Sequence, residues 1–153
     1  MSLSVDTTAR LLATVELQAL LMEYWHDVDT NWGRRAPEYY TEDAVFEGPE
    51  ASYVGVAKIR QFYEWRVTRG KRVAVHAVSN FRANFESDNK ATCTWYLLLY
   101  AADGVPVLPT HPPISIGLVT DTCVRGADGK WLYSYRKFEN WFLGGTPPTN
   151  PKL

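Results

Sequence analysis

Hydrophobic positions follow two regimes along the chain, helical spacing first and strand alternation after it. Over residues 8–32, Leu17, Leu21, Tyr24, Trp25, Val28 and Trp32 fall on one arc of a long helix. Asp6, Thr7 and Thr8 offer capping oxygens at its start, and Gly33 ends it. Residues 36–40, with Pro37 in the first turn, predict a short second helix, followed by a short strand at 43–47 and a loop at 48–50. Residues 55–69 predict a third helix with Val56, Ile59, Phe62 and Tyr63 on its apolar face and Gly70 as its stop.

From residue 71 the period drops to two. Over residues 71–86, Val73, Val75, Ala77, Ser79, Phe81, Ala83 and Phe85 point one way, and Arg72, Ala74, His76, Val78, Asn80 and Arg82 the other. A turn at 87–89 leads into a second long strand at 91–102, where Cys93, Trp95, Leu97 and Leu99 oppose Thr94, Tyr96, Leu98 and Tyr100. A proline-rich connection at 103–113, a third strand at 114–125, a turn at 126–129 and a fourth strand at 130–142 complete the pattern. Helices first and four long strands after them predict an α+β domain, three N-terminal helices packed on a curved, mainly antiparallel sheet. A strongly bent sheet covered by helices forms a cone, and the mouth of a cone suits a small-molecule pocket. The length fits one domain over residues 1–143, with an irregular tail at 144–153.

Composition adds two points. Aromatic residues make up 14% of the chain, more than an ordinary core requires. Trp95, Trp131, Tyr133, Tyr135 and Trp141 exceed what one cone interior holds, which predicts a homo-oligomer, dimer or trimer, joined through the sheet. The formal net charge of -1 gives no electrostatic case for nucleic acid, and the cluster Arg66, Arg69, Lys71 and Arg72 reads as a solvated helix end. Cys93 and Cys123 lack metal-type spacing and fit buried strand thiols better than a disulfide. No secretory signal is visible, and the longest apolar run, residues 95–102, is too short to cross a bilayer, so the cytoplasm is the expected location.

The candidate chemistry centres on His76. Its imidazole shares a strand face with Asn80, about 13 Å away at ~3.3 Å per residue. Such a histidine is either a base or a wall residue satisfied by one hydrogen bond. Asp29 follows Trp25 by one helical turn, at the margin of the apolar arc, whereas His26 and Asp27 point elsewhere, to solvent or to a subunit contact. His26, His76 and His111 do not fall at ligand spacing for zinc or iron, so neither a metal nor an organic cofactor is expected.

The order of elements resembles the SnoaL-like branch of the nuclear-transport-factor-2-like superfamily over about residues 9–143. Three segments carry the likeness: Tyr40-Thr-Glu-Asp43-Ala-Val-Phe46, Tyr53-Val-Gly55-Val-Ala-Lys-Ile59-Arg-Gln-Phe62-Tyr63, and Asp128-Gly129-Lys-Trp131. Within that branch the chain resembles the scytalone dehydratases, the bile-acid dehydratases and hexachlorocyclohexane dehydrochlorinase, which pair an Asp late in the first helix with a His on the first long strand. The resemblance implies Asp29 in the pair Val28-Asp29, His76 with Asn80 four residues on, Tyr24 five residues before Asp29, and Arg125 near the end of the third long strand. Tyr96, with Leu98 and Tyr100, stands where scytalone dehydratase carries a second catalytic His, so that enzyme's water-mediated step does not transfer intact.

The implied roles are His76 as base, Asp29 as its orienting partner and Tyr24 as donor to developing negative charge, with Asn80, Tyr96 and Arg125 contacting substrate. The activity expected is that of a cofactor-independent lyase or isomerase on an apolar cyclic small molecule. The alternatives are a non-catalytic small-molecule-binding protein or accessory oxygenase subunit, and a polyketide-cyclase-like enzyme, all of which this fold hosts.

Overall fold

The computed structural model describes residues 3–144, with side chains from Asp6 onward. The 28-residue helix α1 (Leu3–Thr30) is followed by a single 3-10 turn (Ala36–Tyr39), strands β1 (Tyr40–Glu47) and β2 (Ser52–Val54), and helix α2 (Val56–Thr68). Four long strands come next: β3 (Arg72–Ser87), β4 (Lys90–Asp103), β5 (Ser115–Arg125) and β6 (Trp131–Leu143). All six strands form one sheet in the order β2-β1-β6-β5-β4-β3. Every pairing is antiparallel except β1 with β6.

The expected α+β arrangement is present with two α-helices, not three. Residues 36–39 make only one 3-10 turn, because Arg35 offers no side-chain cap and Tyr40 is already extended (φ −112°, ψ 150°). The chain therefore enters β1 three residues earlier than its apolar pattern suggested, and β2 is an added short strand hairpinned onto it.

The helix faces are as the spacing predicts. Leu17, Leu21, Tyr24, Trp25 and Val28 on α1 are buried, as are Ile59, Phe62 and Tyr63 on α2. Full burial of a large apolar side chain stabilises by about 1.5–3 kcal/mol, so α1 is held by this seam and not by its own helical propensity. Asp27 is buried, not turned to solvent or a subunit contact as its spacing suggested. It is 6% exposed, and its carboxylate accepts hydrogen bonds from Asn31 Nδ2 (2.7 Å) and the Arg35 amide (3.0 Å), which fixes the turn between α1 and the 3-10 segment.

Strand alternation is interrupted by bulges. In β3, Ser79 opposes Tyr96 but Arg82 opposes Thr94, so Asn80 and Phe81 together face Trp95. Asn80 takes φ +54°, the left-handed conformation that asparagine tolerates better than most residues. Before the bulge the even residues Ala74, His76 and Val78 face inward; after it the odd residues Phe81, Ala83 and Phe85 do. A second bulge at Ser134 in β6 lets Tyr133 and Arg136 both point into the core.

Of the five aromatic residues expected to exceed the interior, Trp95, Trp131 and Tyr133 are buried inside it. Tyr135 is half-buried and donates to Glu47, and Trp141 is 55% exposed on the outer face. Cys93 and Cys123 are buried free thiols. No helix among the described residues is long and apolar enough to cross a membrane. Most of the expected tail lies outside the described residues.

Candidate active site

His76 is brought to the wall of a hollow by sheet register. His76 pairs with Leu99, Leu99 with Ser115, and Ser115 with Leu143, a row across β3, β4, β5 and β6. All four residues line a cavity of about 140 Å³, which is open on one side. Trp25 and Phe62 line it from the helices, and Phe46 and Phe138 from the sheet. A volume of this order accommodates a single aromatic ring, since an engineered apolar cavity of ~150 Å³ takes up benzene.

Asp29 stands behind the imidazole. Its Oδ1 lies 2.6 Å from His76 Nδ1, and its Oδ2 accepts the His76 backbone N–H at 2.9 Å. The carboxylate can only accept, so Nδ1 carries the proton and Nε2 keeps its lone pair. Among the described residues Nε2 makes no hydrogen bond. Trp25 stacks on the imidazole with ring centroids 4.0 Å apart and planes 12° from parallel, which fixes the ring's orientation. Trp25 and Asp29 lie one helical turn apart, so the face that supplies the carboxylate also supplies the stacking surface. Trp25 Nε1–H is itself a buried donor with no acceptor among the described residues, a state that costs about 1–3 kcal/mol.

Burial pulls the His76 pKa below its ordinary value. Asp29 pulls the other way through its hydrogen bond and its charge, and the positive charges of Arg66 and Arg136 add to the lowering. The short Nδ1–Oδ1 distance taken alone would suggest an imidazolium–carboxylate pair. The side chain is only 7% exposed, however, and loss of hydration outweighs one partner that already accepts a neutral N–H.

The remaining sequence candidates separate. Tyr24 is fully buried and does not line the cavity; its hydroxyl bonds to that of Tyr63 and accepts from Tyr40 (2.9 Å). Tyr63 is the residue of this group that reaches the cavity wall. Burial, reinforced by Tyr24, drives its pKa well above the usual phenol value, so it stays protonated and able to donate. Gly33 at φ +72° lets the chain after α1 pass against this ring: a Cβ there would sit 2.3 Å from Tyr63 Cδ1.

Asn80, at the bulge, is exposed and away from the cavity. Tyr96 faces outward and packs on Trp141 (5.3 Å between centroids). Arg125 pairs with Glu16 of α1 and lies 4.7 Å over the Trp131 ring, also away from the cavity. Residue parity could not place Asn80 once a bulge intervened. Tyr63 had a usable signal: a tyrosine on an apolar helix face needs a partner for its hydroxyl.

A second charged pair lies deeper. Arg136 donates to Asp121 through Nε–Oδ1 (2.6 Å) and Nη2–Oδ2 (2.9 Å), and Trp95 Nε1 donates to Asp121 Oδ2 at 2.8 Å. The guanidinium carbon lies 3.9 Å from the Tyr133 ring centroid and 4.4 Å from that of Tyr24. Neither Arg136 nor Asp121 was singled out by the sequence. No group of His, Cys, Asp and Glu among the described residues has metal-binding geometry.

Residues 9–137 match the SnoaL-like domain. The chain belongs to this family. No curated protein matches it. Among solved structures it is similar to a Novosphingobium aromaticivorans protein carrying a provisional scytalone dehydratase name, at 18% identity and TM-score 0.80 over 95% of both chains. It is similar to LinA at 21% identity and TM-score 0.74, over 95% of this chain and 99% of that one. A Catenulispora acidiphila protein in complex with S-DNPA is 24% identical with TM-score 0.68, over 86% of this chain and 94% of that one. At these identities the likeness establishes the shared SnoaL-like fold.

Proposed function

We propose that this SnoaL-like protein is a cofactor-independent lyase or isomerase, with His76 as the general base toward a ring-bearing small molecule in the cavity. The observation that carries the reading is an imidazole in the wall of an apolar hollow, its Nδ1 tied at 2.6 Å to a carboxylate and its Nε2 left unbonded. A base of this kind must be neutral at rest and aimed. Burial supplies the first condition, and Asp29 with the Trp25 stack supplies the second.

In the proposed step Nε2 takes a proton from an activated C–H. The C–H electron pair forms a new π bond and expels a leaving group from the adjacent carbon, or shifts onto a conjugated oxygen. The imidazolium then returns its proton to the leaving group or to another carbon. Asp29 stabilises the transient imidazolium, and the Trp25 face favours the cation once it exists. Tyr63, held by Tyr24 behind it, donates a hydrogen bond where negative charge develops. Tyr24 thus acts as a positioning residue one shell away from its expected place.

The test is a screen of ring-bearing hydroxy, halo and keto compounds for proton exchange or elimination, followed by His76→Gln on any hit. Turnover unchanged in that variant would remove His76 as the base. On the outer face Val75 pairs with Tyr100 across β3 and β4, and Trp141 and Phe142 are exposed nearby on β6. This surface supports our reading of a dimer or trimer joined through the sheet; concentration-independent sedimentation as a 17.4 kDa monomer would refute it.

A further inference from the structure

The sequence cluster that read as a solvated helix end is turned toward the site by the fold. Arg66 and Arg69 at the end of α2, and Arg72 at the start of β3, all line the cavity that His76 lines. The same three arginines line a second hollow of about 220 Å³, walled also by Asp29, Val28, Trp32 and Pro106. Two hollows thus share one guanidinium rim. The net charge of the whole chain is -1, so this concentration of positive charge is local.

Among the described residues, none of the carboxylates nearby is ion-paired with Arg66. Asp103 holds Arg72 at 2.7 Å from a position 76% exposed. Asp29 is engaged twice by His76. Glu50, exposed on the loop after β1, is the other carboxylate lining the cavities. Arg66 lies over the rings of Phe62 (5.9 Å) and Tyr63 (5.6 Å), with no carboxylate in ion-pair range among the described residues. Stacking leaves the edge of a guanidinium open, and that edge matches a planar oxyanion.

We propose that the site takes a ring-bearing organic anion, its ring against Trp25, Phe62 and Phe138 and its charged oxygens on Arg66, with Arg69 and Arg72 supplying further positive field. This rests on the general-base reading for its catalytic meaning but not for the binding itself. It changes the substrate class expected from sequence, an apolar cyclic molecule, to one with an apolar ring and a charged end. The arrangement also couples binding to chemistry. Arg66 disfavours an imidazolium at His76 while the site is empty, and an anion bound beside it removes that penalty as the proton is taken.

Calorimetric titration at low salt with benzoate, its neutral amide and phenyl phosphate tests the proposal. Wild type is expected to bind benzoate, or the phosphate, about tenfold or more tighter than the amide, as suits a charge-assisted hydrogen bond. Which anion binds tighter assigns the oxyanion. Arg66→Gln is expected to erase most of the preference with amide affinity kept, and Arg66→Lys to retain part of it. His76→Gln is expected to keep the preference, so an anion site can stand where the general-base reading falls, and the reverse. Equal or tighter amide binding by wild type, no binding of either anion, or a preference that survives Arg66→Gln in a variant melting like wild type, would overturn the proposal.

Discussion

Two ionisable pairs face the inside of the same sheet, and their surroundings differ. Arg136 and Asp121, opposite each other on β6 and β5, are 0% and 1% exposed, wrapped by tyrosine and tryptophan rings, and line neither hollow. His76 and Asp29 are joined by a bond of similar length, but the histidine borders open space on its other side. In the deep pair both Asp121 oxygens accept from the guanidinium: burial works against the Arg136 charge, yet Asp121 keeps its pKa well above the ordinary arginine value. At the rim, burial wins and the imidazole sits below its ordinary value. A charge sealed on all sides organises a core, whereas a neutral base beside a hollow has something left to bind.

Breaking the deep pair has the largest expected effect. Arg136→Met leaves Asp121 buried without its counter-ion, and a loss of about 3–5 kcal/mol is expected in chemical denaturation, enough to unfold a marginal domain. His76→Gln should leave the melting transition close to wild type while lowering kcat/KM on a screened substrate by about 10²–10⁴-fold, the usual range for a positioned base. A His76→Gln protein as damaged as Arg136→Met would erase the distinction.

Tyrosines separate the two regions more finely. Tyr63→Phe removes the hydroxyl of a cavity-lining residue and should reduce kcat by about tenfold or more, because a donor to developing charge is worth more than an ordinary hydrogen bond. Tyr133→Phe, at a buried hydroxyl with no hydrogen-bond partner among the described residues, should change kcat little and hold or raise stability. Steady-state kinetics on both, with thermal melts, checks the pair.

The smallest expected effect is on pH dependence. With the His76 pKa lowered in the fold, kcat/KM should rise with pH through a group titrating below about 6.5. For stability, the unfolded chain binds the proton first as pH falls. The His76 contribution is therefore complete above about 6.5, is lost as pH falls toward the folded-state value, and is level below it. Denaturation at stepped pH should show this slope in wild type and lose it in His76→Gln.

The parts of this site that were legible in sequence are those fixed by an unbroken period. The α1 face that carries Trp25, with Asp29 at its margin, follows from 3.6-residue spacing, and the face of His76 from alternation before any irregularity in β3. The parts that were not legible lie beyond bulges. Asn80 has the same parity as His76, yet the extra residue at that point puts it outside. Arg136 has opposite parity to Tyr133, and the extra Ser134 sends both inward. Arg66, Arg69 and Arg72 were visible as a cluster, but their orientation depends on how the end of α2 meets β3, which no local pattern encodes.

The proposed chemistry stands on a neutral imidazole with its proton on Nδ1 and Nε2 open to the cavity. Long-range proton–nitrogen NMR of the His76 ring through a pH titration tests it without a substrate. The Nδ1–H tautomer is expected at neutral pH, with an imidazolium that appears only below the ordinary histidine pKa. A ring protonated on Nε2, or one charged at neutral pH, would contradict it.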